Sequence, residues 1–342
     1  MKIAVMSFAH GHAEGYIRLL QAMDDVEVRA ADPGPHPEGE RRGADLAADL
    51  GVGYVDDYDE LLGWGPDAVI VTSENARHRE HVELAAAAGA DILCEKPLAT
   101  TWADGLAMRD AVSRHGVRLM MAFPVRFAST FARLRREHAA GLLGRVFAVR
   151  GANNGMLPTG RSWFADPALA GGGALMDHVV HLADLVDALL GAAPERVTAV
   201  TNRTLHAERA RAETAGLVTI EYGDGTIAAV DCSWSEADTA AAWGDVTLSV
   251  AGTAGNVDVD FFGPAVRGLD ARTGTPIVRR YGQDFDKAML AAFVDSVRTG
   301  SPMDPSIEVG LRTLSIVVAA QESARTRRSV EVPRVTPAGR PG

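Results

Sequence analysis

The stretch ADILCEKP, residues 90–97, places an apolar run directly before Glu95, Lys96 and Pro97. It is one of five short apolar stretches that alternate with helical patterns in the first third of the chain. This βαβα alternation predicts a parallel sheet wrapped by helices on both faces, with ligands bound at the carboxyl ends of its strands. The predicted strands are Lys2–Met6, Val26–Ala31, Ala68–Val71, Ala90–Cys94 and Arg118–Phe123, and the predicted helices are Gly11–Met23, Arg41–Leu50, Arg77–Ala88 and Thr101–His115.

The pattern changes after about residue 124. A helical stretch and a strand lead through a segment containing glycine and asparagine into a long amphipathic helix, and short strands with turn signals follow between 194 and 281. We therefore predict an α/β protein with domains at 1–123 and 124–331 and a disordered tail at 332–342. The remaining predicted elements are the helices Ser129–Ala140, Gly173–Leu190, Phe285–Thr299 and Ile307–Thr326 and the strand Arg145–Ala152.

Composition narrows the classes of partner. The 342 residues carry a formal net charge of -11, so the average surface repels polyanions such as nucleic acid. No apolar run reaches the ~18 residues of a membrane span, and the N-terminus MKIAVMSFAHGH does not resemble a signal peptide. Cys94 and Cys232 are far apart and form no CxxC spacing, so they indicate neither a disulfide framework nor a cysteine metal site. We expect a cytoplasmic protein that binds no nucleic acid, no membrane and no metal.

The first strand-to-helix turn predicts a phosphate-binding loop with a damaged glycine fingerprint. A GxGxxG motif in register with Met6 needs glycine at positions 7, 9 and 12, where the chain has Ser7, Ala9 and His12. Small residues at 7 and 9 still let backbone amides approach a pyrophosphate at the start of a helix. An ordinary strand-loop-helix connection is the alternative. The candidate cofactor residues in this turn are Ser7, Phe8, Ala9, His10, Gly11 and His12.

Asp32 decides the expected choice of cofactor. It ends the second predicted strand, where a carboxylate can hydrogen-bond both ribose hydroxyls of NAD and repel the extra phosphate of NADP. A turn-forming aspartate before Pro33 is the other interpretation. Arg41 and Arg42 follow nearby and could accommodate a phosphate. We therefore expect NAD as the preferred cofactor, and NADP stays open.

The ends of two further strands add candidates at the same edge of the sheet. Lys96 is expected beside the nicotinamide of a bound dinucleotide, and Pro97 allows a cis bond that would aim the lysine. After the preceding strand, the segment from Ser73 to His78 could contact the cofactor, although helix capping by Ser73 or Asn75 is the simpler account. The candidate cofactor residues of these two turns are Ser73, Glu74, Asn75, His78, Glu95, Lys96 and Pro97.

The predicted helix Gly173–Leu190 is apolar around most of its circumference, which indicates that it is buried. Asp177, His181 and Asp184 interrupt that surface at i, i+4 and i+7 and form a single polar stripe. Buried carboxylates and imidazoles are costly unless they are paired or hydrogen-bonded. The stripe therefore predicts a functional group of side chains. A structural hydrogen-bond trio and a DxxxH metal pair are the alternatives.

Taken together, these motifs resemble the Gfo/Idh/MocA family of glucose-fructose oxidoreductase, inositol dehydrogenase and rhizopine catabolism proteins. The resemblance spans nearly the whole chain. It rests on Glu95-Lys96-Pro97, the Ser73 to His78 segment, Arg126-Phe127 after Phe123, and Gly171-Gly172-Gly173 followed by Asp177, His181 and Asp184. The chain departs from the family pattern at Ser7, Ala9 and Glu74, where the family usually has glycine, glycine and proline.

The resemblance implies a fold and an activity. The fold is an N-terminal Rossmann domain with a doubly wound parallel sheet, followed by a C-terminal α/β domain with a large, mostly antiparallel open sheet that is often used to form homo-oligomers. The activity is NAD(P)-dependent hydride transfer between the nicotinamide and a hydroxyl of a sugar, cyclitol or related polyol. Lys96, Asp177 and His181 match the family's catalytic lysine, aspartate and histidine.

These roles give a mechanism in which His181 takes the hydroxyl proton while a hydride leaves the same carbon for the nicotinamide. Lys96 hydrogen-bonds the reacting oxygen, and Asp177 orients the lysine and histidine. Which of Lys96 and His181 is the immediate proton acceptor stays open. The residues that flank the predicted cleft and are candidates for binding substrate are Arg126, Asn153, Asn154, Arg161 and Trp163.

Two other functions use the same residues. A redox-neutral glycosidase or isomerase would retain its NAD and show no net formation of NADH. A dinucleotide sensor without catalytic activity is suggested by the eroded glycine fingerprint. Intact Lys96, Asp177 and His181 argue against the sensor, because it has no need of all three.

Overall fold

A computed structural model describes residues 1–335. Its first 123 residues contain the strands β1 (Lys2–Met6), β2 (Glu27–Ala31), β3 (Gly53–Val55), β4 (Ala68–Val71), β5 (Asp91–Glu95) and β6 (Leu119–Ala122), and the helices α1 (His12–Gln21), α2 (Gly43–Leu50), α3 (Tyr58–Gly63), α4 (His78–Ala87) and α5 (Trp102–His115). The six strands form one parallel sheet in the order β3-β2-β1-β4-β5-β6. Chain order reverses between β1 and β4, so the carboxyl ends of these strands open the crevice of a Rossmann domain.

The first domain confirms the predicted parallel sheet and adds two elements. β3 and α3 lie between α2 and β4, where the sequence showed no clear pattern. β3 has only three residues, and none of them is fully buried, so no apolar run marks it. α3 is six residues long and is capped by Asp57, whose side chain accepts a hydrogen bond from the Glu60 amide.

The second domain is built on a seven-stranded sheet. Its elements are α6 (Ser129–Ala139), β7 (Val146–Met156), α7 (Pro167–Ala170), α8 (Val180–Leu190), β8 (Pro194–Asn202), β9 (Ala215–Tyr222), β10 (Ile227–Glu236), β11 (Gly244–Gly252), β12 (Asn256–Asp260), β13 (Ala265–Asp270), β14 (Thr275–Arg280), α9 (Phe285–Thr299), α10 (Ile307–Thr326) and β15 (Val330–Glu331). The strand order is β12-β11-β7-β10-β9-β8-β15, and every neighbouring pair is antiparallel except β7 with β10. This mostly antiparallel sheet is the expected one.

Four details differ from the sequence predictions. β7 continues through Asn153 and Asn154, which were expected in an irregular segment. The predicted helix 173–190 begins as a π-helical turn, Leu175–Val179, and becomes α-helical only at α8. β13 and β14 pair only with each other as a separate hairpin, not within the large sheet. Of the predicted tail, Val332 is buried and its amide donates to the Glu195 carbonyl at 2.9 Å, while 336–342 lie outside the described residues.

Helix α10 packs against both domains, since it contacts α5 and β6 of the first and α8 and β8 of the second. Its side chains Leu311 and Leu314 are fully buried, and burial of a leucine side chain contributes about 1.5–3 kcal/mol. A Cβ atom at Gly310 would lie 2.8 Å from Met121 Sδ, so glycine permits this close approach. α10 thereby fixes the two sheets relative to each other. No helix within 1–335 combines the length and the apolarity needed to cross a membrane.

Candidate active site

The turn after β1 has the shape of a cofactor loop although its first position is serine. Ser7 has φ +74°, in the left-handed region that favours glycine. Hydrogen bonds hold this conformation: the Ser7 amide donates to the Ala31 carbonyl at 2.8 Å, and Ser7 Oγ donates to Asp32 Oδ1 at 3.0 Å and accepts from the Ala9 amide at 3.1 Å. The serine thus replaces glycine at the fingerprint position while tying the loop to the end of β2.

Asp32 lies at that strand end and is held by Arg42. The guanidinium donates to both carboxylate oxygens, from Nη2 to Oδ1 at 2.7 Å and from Nε to Oδ2 at 3.0 Å, and the Gly43 amide also donates to Oδ2 at 3.1 Å. Burial alone would raise the pKa of Asp32, but the hydrogen bonds and charge of Arg42 outweigh it and lower that pKa. Arg41, the other predicted phosphate partner, pairs with Asp49 instead.

Lys96 follows β5 and meets Asp177 from the second domain. Lys96 Nζ donates to Asp177 Oδ1 at 2.5 Å and to the Asp177 carbonyl at 3.3 Å, and both side chains are more than nine-tenths buried. The Lys96–Pro97 peptide bond is cis. The structure therefore joins the two motifs that are about eighty residues apart in the sequence.

Asp177 has two more partners, neither of which the sequence indicated. Trp234 Nε1 donates to Asp177 Oδ2 at 2.9 Å, and His178 Nε2 lies 3.1 Å from the same oxygen. His178 Nδ1 in turn donates to the Asn153 carbonyl at 2.8 Å, which orients its ring. Burial would raise the pKa of Asp177, but the charges of Lys96 and His178 hold it well below its usual range. Asp177 is therefore a fixed, ionised carboxylate.

His181 lies on the wall of the same cavity, on the first turn of α8. Burial, followed by the positive charge of Lys96, lowers its pKa well below the ordinary value for histidine. The imidazole is consequently neutral at physiological pH. Its Nδ1 atom is buried and has no hydrogen-bond partner within the described chain, and its ring edge faces Phe123 with 6.0 Å between ring centroids. A neutral imidazole in this setting can accept a proton.

Asp184, the third member of the predicted stripe, belongs to a different contact. Arg126 Nη1 donates to Asp184 Oδ1 at 2.6 Å, and Arg126 Nη2 donates to Asp304 at 2.7 Å. Because Asp184 is fully buried, its pKa is raised to about 7 despite the nearby guanidinium. Arg126 was a candidate for binding substrate, but it does not line the cavity and serves as a bridge between helix α8 and the loop before α10.

Glu95 organises a second buried cluster beside Lys96. Its Oε1 atom accepts from Tyr16 OH at 2.7 Å and lies 2.9 Å from His12 Nδ1. Burial would raise the pKa of Glu95, but His10 and His12 lower it overall, and Glu95 in turn raises the pKa of His12 against the effect of burial. His12 lines the cavity, so the cofactor loop brings a chargeable imidazole to it.

Three side chains of types that bind metal ions lie close together, although the sequence predicts no metal site: these are His10, His12 and Glu95. One ligand atom from each lies within 4.8 Å of the other two. Hydrogen bonds account for this proximity, because His10 Nδ1 accepts from the His12 amide at 3.2 Å and His12 Nδ1 contacts Glu95. Burial lowers the pKa of His10 to about 3, so its ring is neutral.

The Ser73 to His78 segment supports the site rather than lining the cavity. Asn75 Nδ2 donates to the Ala170 carbonyl at 2.8 Å, His78 Nδ1 donates to the Pro97 carbonyl at 2.8 Å, and Glu74 accepts from Arg42 at 3.2 Å. Neither Ser73 nor Asn75 caps the following helices with its side chain, so the capping interpretation is wrong. These contacts tie the end of β4 to the Lys96 turn and to the second domain.

The other predicted substrate residues divide into two groups. Asn153 and Arg161 line the cavity, and Asn153 Oδ1 is buried with no hydrogen-bond partner among the described residues. Trp163 does not line it, because its Nε1 donates to the Ala9 carbonyl at 2.9 Å and braces the cofactor loop. Asn154 accepts from Ser233 Oγ at 2.6 Å and also lies outside the cavity.

The cavity has a volume of about 880 Å³ and runs between the two domains. Lys96, Asp177 and His181 share its wall with residues 10–12 of the cofactor loop. Six aromatic side chains also line it, which no periodic pattern in the sequence could indicate, because they come from loops, from a short 3-10 turn and from the first residue of α9. These aromatic residues are Phe164, Trp243, Phe261, Phe262, Tyr281 and Phe285.

Two family models match successive parts of the chain. A model of an oxidoreductase family with an NAD-binding Rossmann fold matches residues 35–123, and a model of the GFO/IDH/MocA C-terminal domain matches residues 131–258. A D-xylose 1-dehydrogenase (NADP(+)) of Haloferax volcanii is 30% identical over 298 residues, 86% of this chain and 89% of that protein. A 1,5-anhydro-D-fructose reductase of Ensifer adhaerens is 36% identical over 165 residues, which is 47% of this chain and only about half, 49%, of that protein.

A solved structure extends the similarity over the whole fold. GenD2 from gentamicin A biosynthesis, in complex with NAD, superposes with a TM-score of 0.86 at 27% identity and covers 98% of this chain and 97% of its own. Fold and cleft define a two-domain oxidoreductase with a Rossmann dinucleotide-binding domain. With both family models matched in chain order, the chain belongs to the Gfo/Idh/MocA family.

Proposed function

We propose that this protein is an NAD(P)-dependent dehydrogenase that oxidises a hydroxyl group of a sugar, cyclitol or related polyol. The observation that carries the proposal is the buried contact of Lys96 Nζ with Asp177 Oδ1 at 2.5 Å, in one cavity with His181 and the cofactor loop. The names of relatives agree, since they include a D-xylose 1-dehydrogenase and a myo-inositol 2-dehydrogenase of Thermotoga maritima. A pairing of this kind places a cation, a carboxylate and a neutral base around one substrate hydroxyl.

The residues around the loop fit a dinucleotide. A Cβ atom added at Gly11 would meet nothing within 4 Å, so there is open space at the start of α1, where the helix dipole favours a phosphate. Ser7 and Asp32 would hold the adenosine ribose. We propose NAD as the preferred cofactor because Asp32 is an ionised carboxylate; its partner Arg42 leaves NADP as the weaker second cofactor. When bound, the nicotinamide supplies the hydride acceptor.

The side chains of the chain itself handle the proton. We assign the proton of the substrate hydroxyl to His181, because its imidazole is neutral and lines the cavity, whereas Lys96 Nζ is committed to Asp177. Lys96 stabilises negative charge that develops on the reacting oxygen. Asp177 holds the lysine in place and balances its charge.

A direct assay tests this function. Purified protein is incubated with NAD and then with NADP against sugars, cyclitols and sugar acids, while the absorbance of reduced nicotinamide is followed and the organic products are analysed. We expect reduced nicotinamide to form, and to be lost in a Lys96→Ala variant. Product formation without a change in absorbance would replace the dehydrogenase with a redox-neutral glycosidase or isomerase. Binding of NAD with no product from any compound would favour the sensor.

We also propose that copies of the chain associate through the uncovered face of the large sheet. Four large apolar side chains are exposed on neighbouring strands of this sheet, each by about half or more, and cross-strand pairing places Val200 beside Leu217. Exposed apolar side chains that lie together are typical of a protein interface. The four residues are Phe147, Val200, Leu217 and Ile227. Both cysteines are buried free thiols, which suits the reducing cytoplasm that we propose as its location.

A further inference from the structure

The cavity is lined by more aromatic side chains than the proposed chemistry uses. Its volume of about 880 Å³ is shared by the substrate and the nicotinamide end of the proposed cofactor, because residues 10–12 of the cofactor loop line it too. Lys96, Asp177 and His181, the groups proposed for chemistry, share the wall with six aromatic residues. Five of the six aromatic residues lie between positions 243 and 285 of the second domain.

Trp243 lines the cavity, and its ring is held in a fixed position by its neighbours. A Cβ atom at Gly155 would lie 2.6 Å from the Trp243 ring, so only glycine allows the indole to take this position against β7. On another side the ring contacts His178 edge-on, with 5.3 Å between ring centroids. The residue is nevertheless 44% exposed, and it lines the cavity. A positioned but uncovered tryptophan can stack on a ligand ring and donate to a hydroxyl.

Two more aromatic residues of the cavity wall, Phe262 and Tyr281, flank the hairpin β13–β14. Arg280, the last residue of β14, lies over the Phe262 ring at 4.4 Å and donates to the Gly244 carbonyl at 2.5 Å. This guanidinium fastens the hairpin to the start of β11, next to Trp243. Tyr281 follows directly, lines the cavity and is 66% exposed. Trp243, Phe262 and Tyr281 all line the same cavity, and we call them the aromatic wall.

We propose that this wall is a subsite for a second ring, so that the substrate is a glycoside of at least two rings rather than a free monosaccharide or cyclitol. Trp243 and Tyr281 stack on the ring attached to the sugar that is oxidised. Their apolar faces match the C–H faces of a pyranose or the face of an aromatic aglycone, and both ring types bury area against them. The inference rests on the proposed dehydrogenase function, because it names the substrate class of the same site.

Matched glycosides test it. Methyl and phenyl β-D-glycosides of glucose, galactose and xylose are compared with the free sugars and myo-inositol, and kcat/KM is measured with NAD and with NADP. The methyl glycoside controls for blocking the anomeric carbon, so only the second ring differs between methyl and phenyl. We expect kcat/KM for the phenyl glycoside to exceed that for the methyl glycoside by about ten-fold, in keeping with the loss or gain of one stacked ring.

Two tryptophan variants locate the effect. Trp243→Ala should reduce the ratio of phenyl to methyl kcat/KM to within about three-fold of unity. Trp64→Ala is the matched control, because Trp64 lies against Lys2 and Arg29 on the first domain and does not line the cavity. It should leave the ratio as it is in the unmodified protein. Circular dichroism of both variants confirms that they are folded.

Three results would overturn the inference. If methyl and phenyl glycosides are oxidised equally well, or if Trp64→Ala lowers the ratio as much as Trp243→Ala, the aromatic wall is not a ring subsite. If free sugars or inositol are oxidised and no glycoside is, the substrate is a single ring, while the proposed dehydrogenase function stands. If no compound is oxidised with either cofactor, the proposed function fails, and this inference fails with it.

Discussion

Trp234 Nε1 donates a hydrogen bond to Asp177 Oδ2 at 2.9 Å, across 57 positions of sequence and inside a fully buried environment. The other carboxylate oxygen of Asp177 accepts from Lys96 at 2.5 Å. One oxygen is therefore occupied by a structural donor and the other by the proposed catalytic lysine. This division keeps the carboxylate from rotating, so the position of Lys96 depends on a tryptophan that does not itself line the cavity.

The first prediction concerns this indole. Trp234→Phe keeps a buried aromatic ring and removes only the donor, and a hydrogen bond to a charged group contributes about 1.5–3 kcal/mol. We expect kcat/KM to fall about ten-fold or more at neutral pH. Because the carboxylate loses a donor that favours its ionised form, the pKa of Asp177 rises and the acidic limb of the pH–rate profile moves to higher pH.

Measurement of kcat/KM from neutral pH down to the lowest pH at which the protein stays folded checks that prediction, because the pKa of Asp177 lies well below its usual range. Trp64→Phe, which alters a tryptophan on the surface of the first domain, should leave the profile in place. A Trp234→Phe enzyme that is slower by the same factor at every pH would show a general packing defect instead of a role in positioning Asp177.

Removal of the lysine provides the second prediction. Lys96→Ala should lower kcat by about 10³-fold or more, because it removes the cation that stabilises charge on the reacting oxygen. It also leaves Asp177 buried without its main partner, so thermal unfolding must be measured alongside. Fluorescence titration with NADH should still show cofactor binding. Turnover at the unmodified rate in a folded Lys96→Ala protein would refute the assignment of the site.

Cofactor choice gives the third prediction, with two variants that act in opposite directions. Asp32→Asn keeps the shape of the side chain but removes its charge, so the NAD to NADP ratio of kcat/KM should fall about ten-fold or more. Arg42→Gln leaves the carboxylate without its neutralising guanidinium, so the same ratio should rise. Asp45→Asn, on the exposed side of α2, is the control and should leave the NAD to NADP ratio of kcat/KM unchanged. Equal ratios in all four proteins would remove Asp32 from cofactor selection.

Stability against acid gives the fourth prediction. Burial lowers the pKa of His81 to about 3, from an ordinary value of 6.5. Above pH 6.5 both the folded and unfolded forms are neutral at this residue, and its contribution to stability is complete. As pH falls from 6.5 towards 3 only the unfolded chain takes up the proton, so the free energy of unfolding decreases, by about 2 kcal/mol between pH 7.5 and 5.0.

Denaturant titrations at pH 7.5 and 5.0 measure this loss. His81→Leu should reduce the difference between the two pH values by about 2 kcal/mol, whereas His115→Leu, at an exposed position, should leave it unchanged. His10, whose pKa is also lowered to about 3 by burial, continues to contribute in both variants. An identical pH dependence in His81→Leu and the unmodified protein would show that His81 is not what sensitises the fold to acid.

The sequence was sufficient for the sheet, the order of the elements and the motifs that resemble the family. β1, β4, α9 and α10 have the predicted bounds, because each is a long or strongly apolar run bounded by turn residues. β3 escaped prediction, since three half-exposed residues carry no pattern.

The partners of the site residues could not be predicted in the same way. Trp234 contacts Asp177 across 57 positions of sequence, and His12 contacts Glu95 across 83. The sequence around Asp177 and Glu95 does not indicate these distant partners. Arg126 was expected to bind substrate because it flanks the predicted cleft. Its guanidinium instead donates to Asp184 of α8 and to Asp304 of the loop before α10. The local sequence pattern thus predicts that a polar residue is buried, whereas the tertiary fold determines which charged group it contacts.

Lys96 and its counter-ion belong to different domains, and this has a consequence for biosynthesis. The ribosome completes the parallel sheet with Lys96 well before Asp177 and Trp234 emerge, and N-terminal domains generally fold first. A nascent chain halted after the first domain would carry the lysine without the carboxylate that holds it. Assembly of the proposed site therefore waits for the second domain, and a product truncated after the first domain contains the lysine but no site.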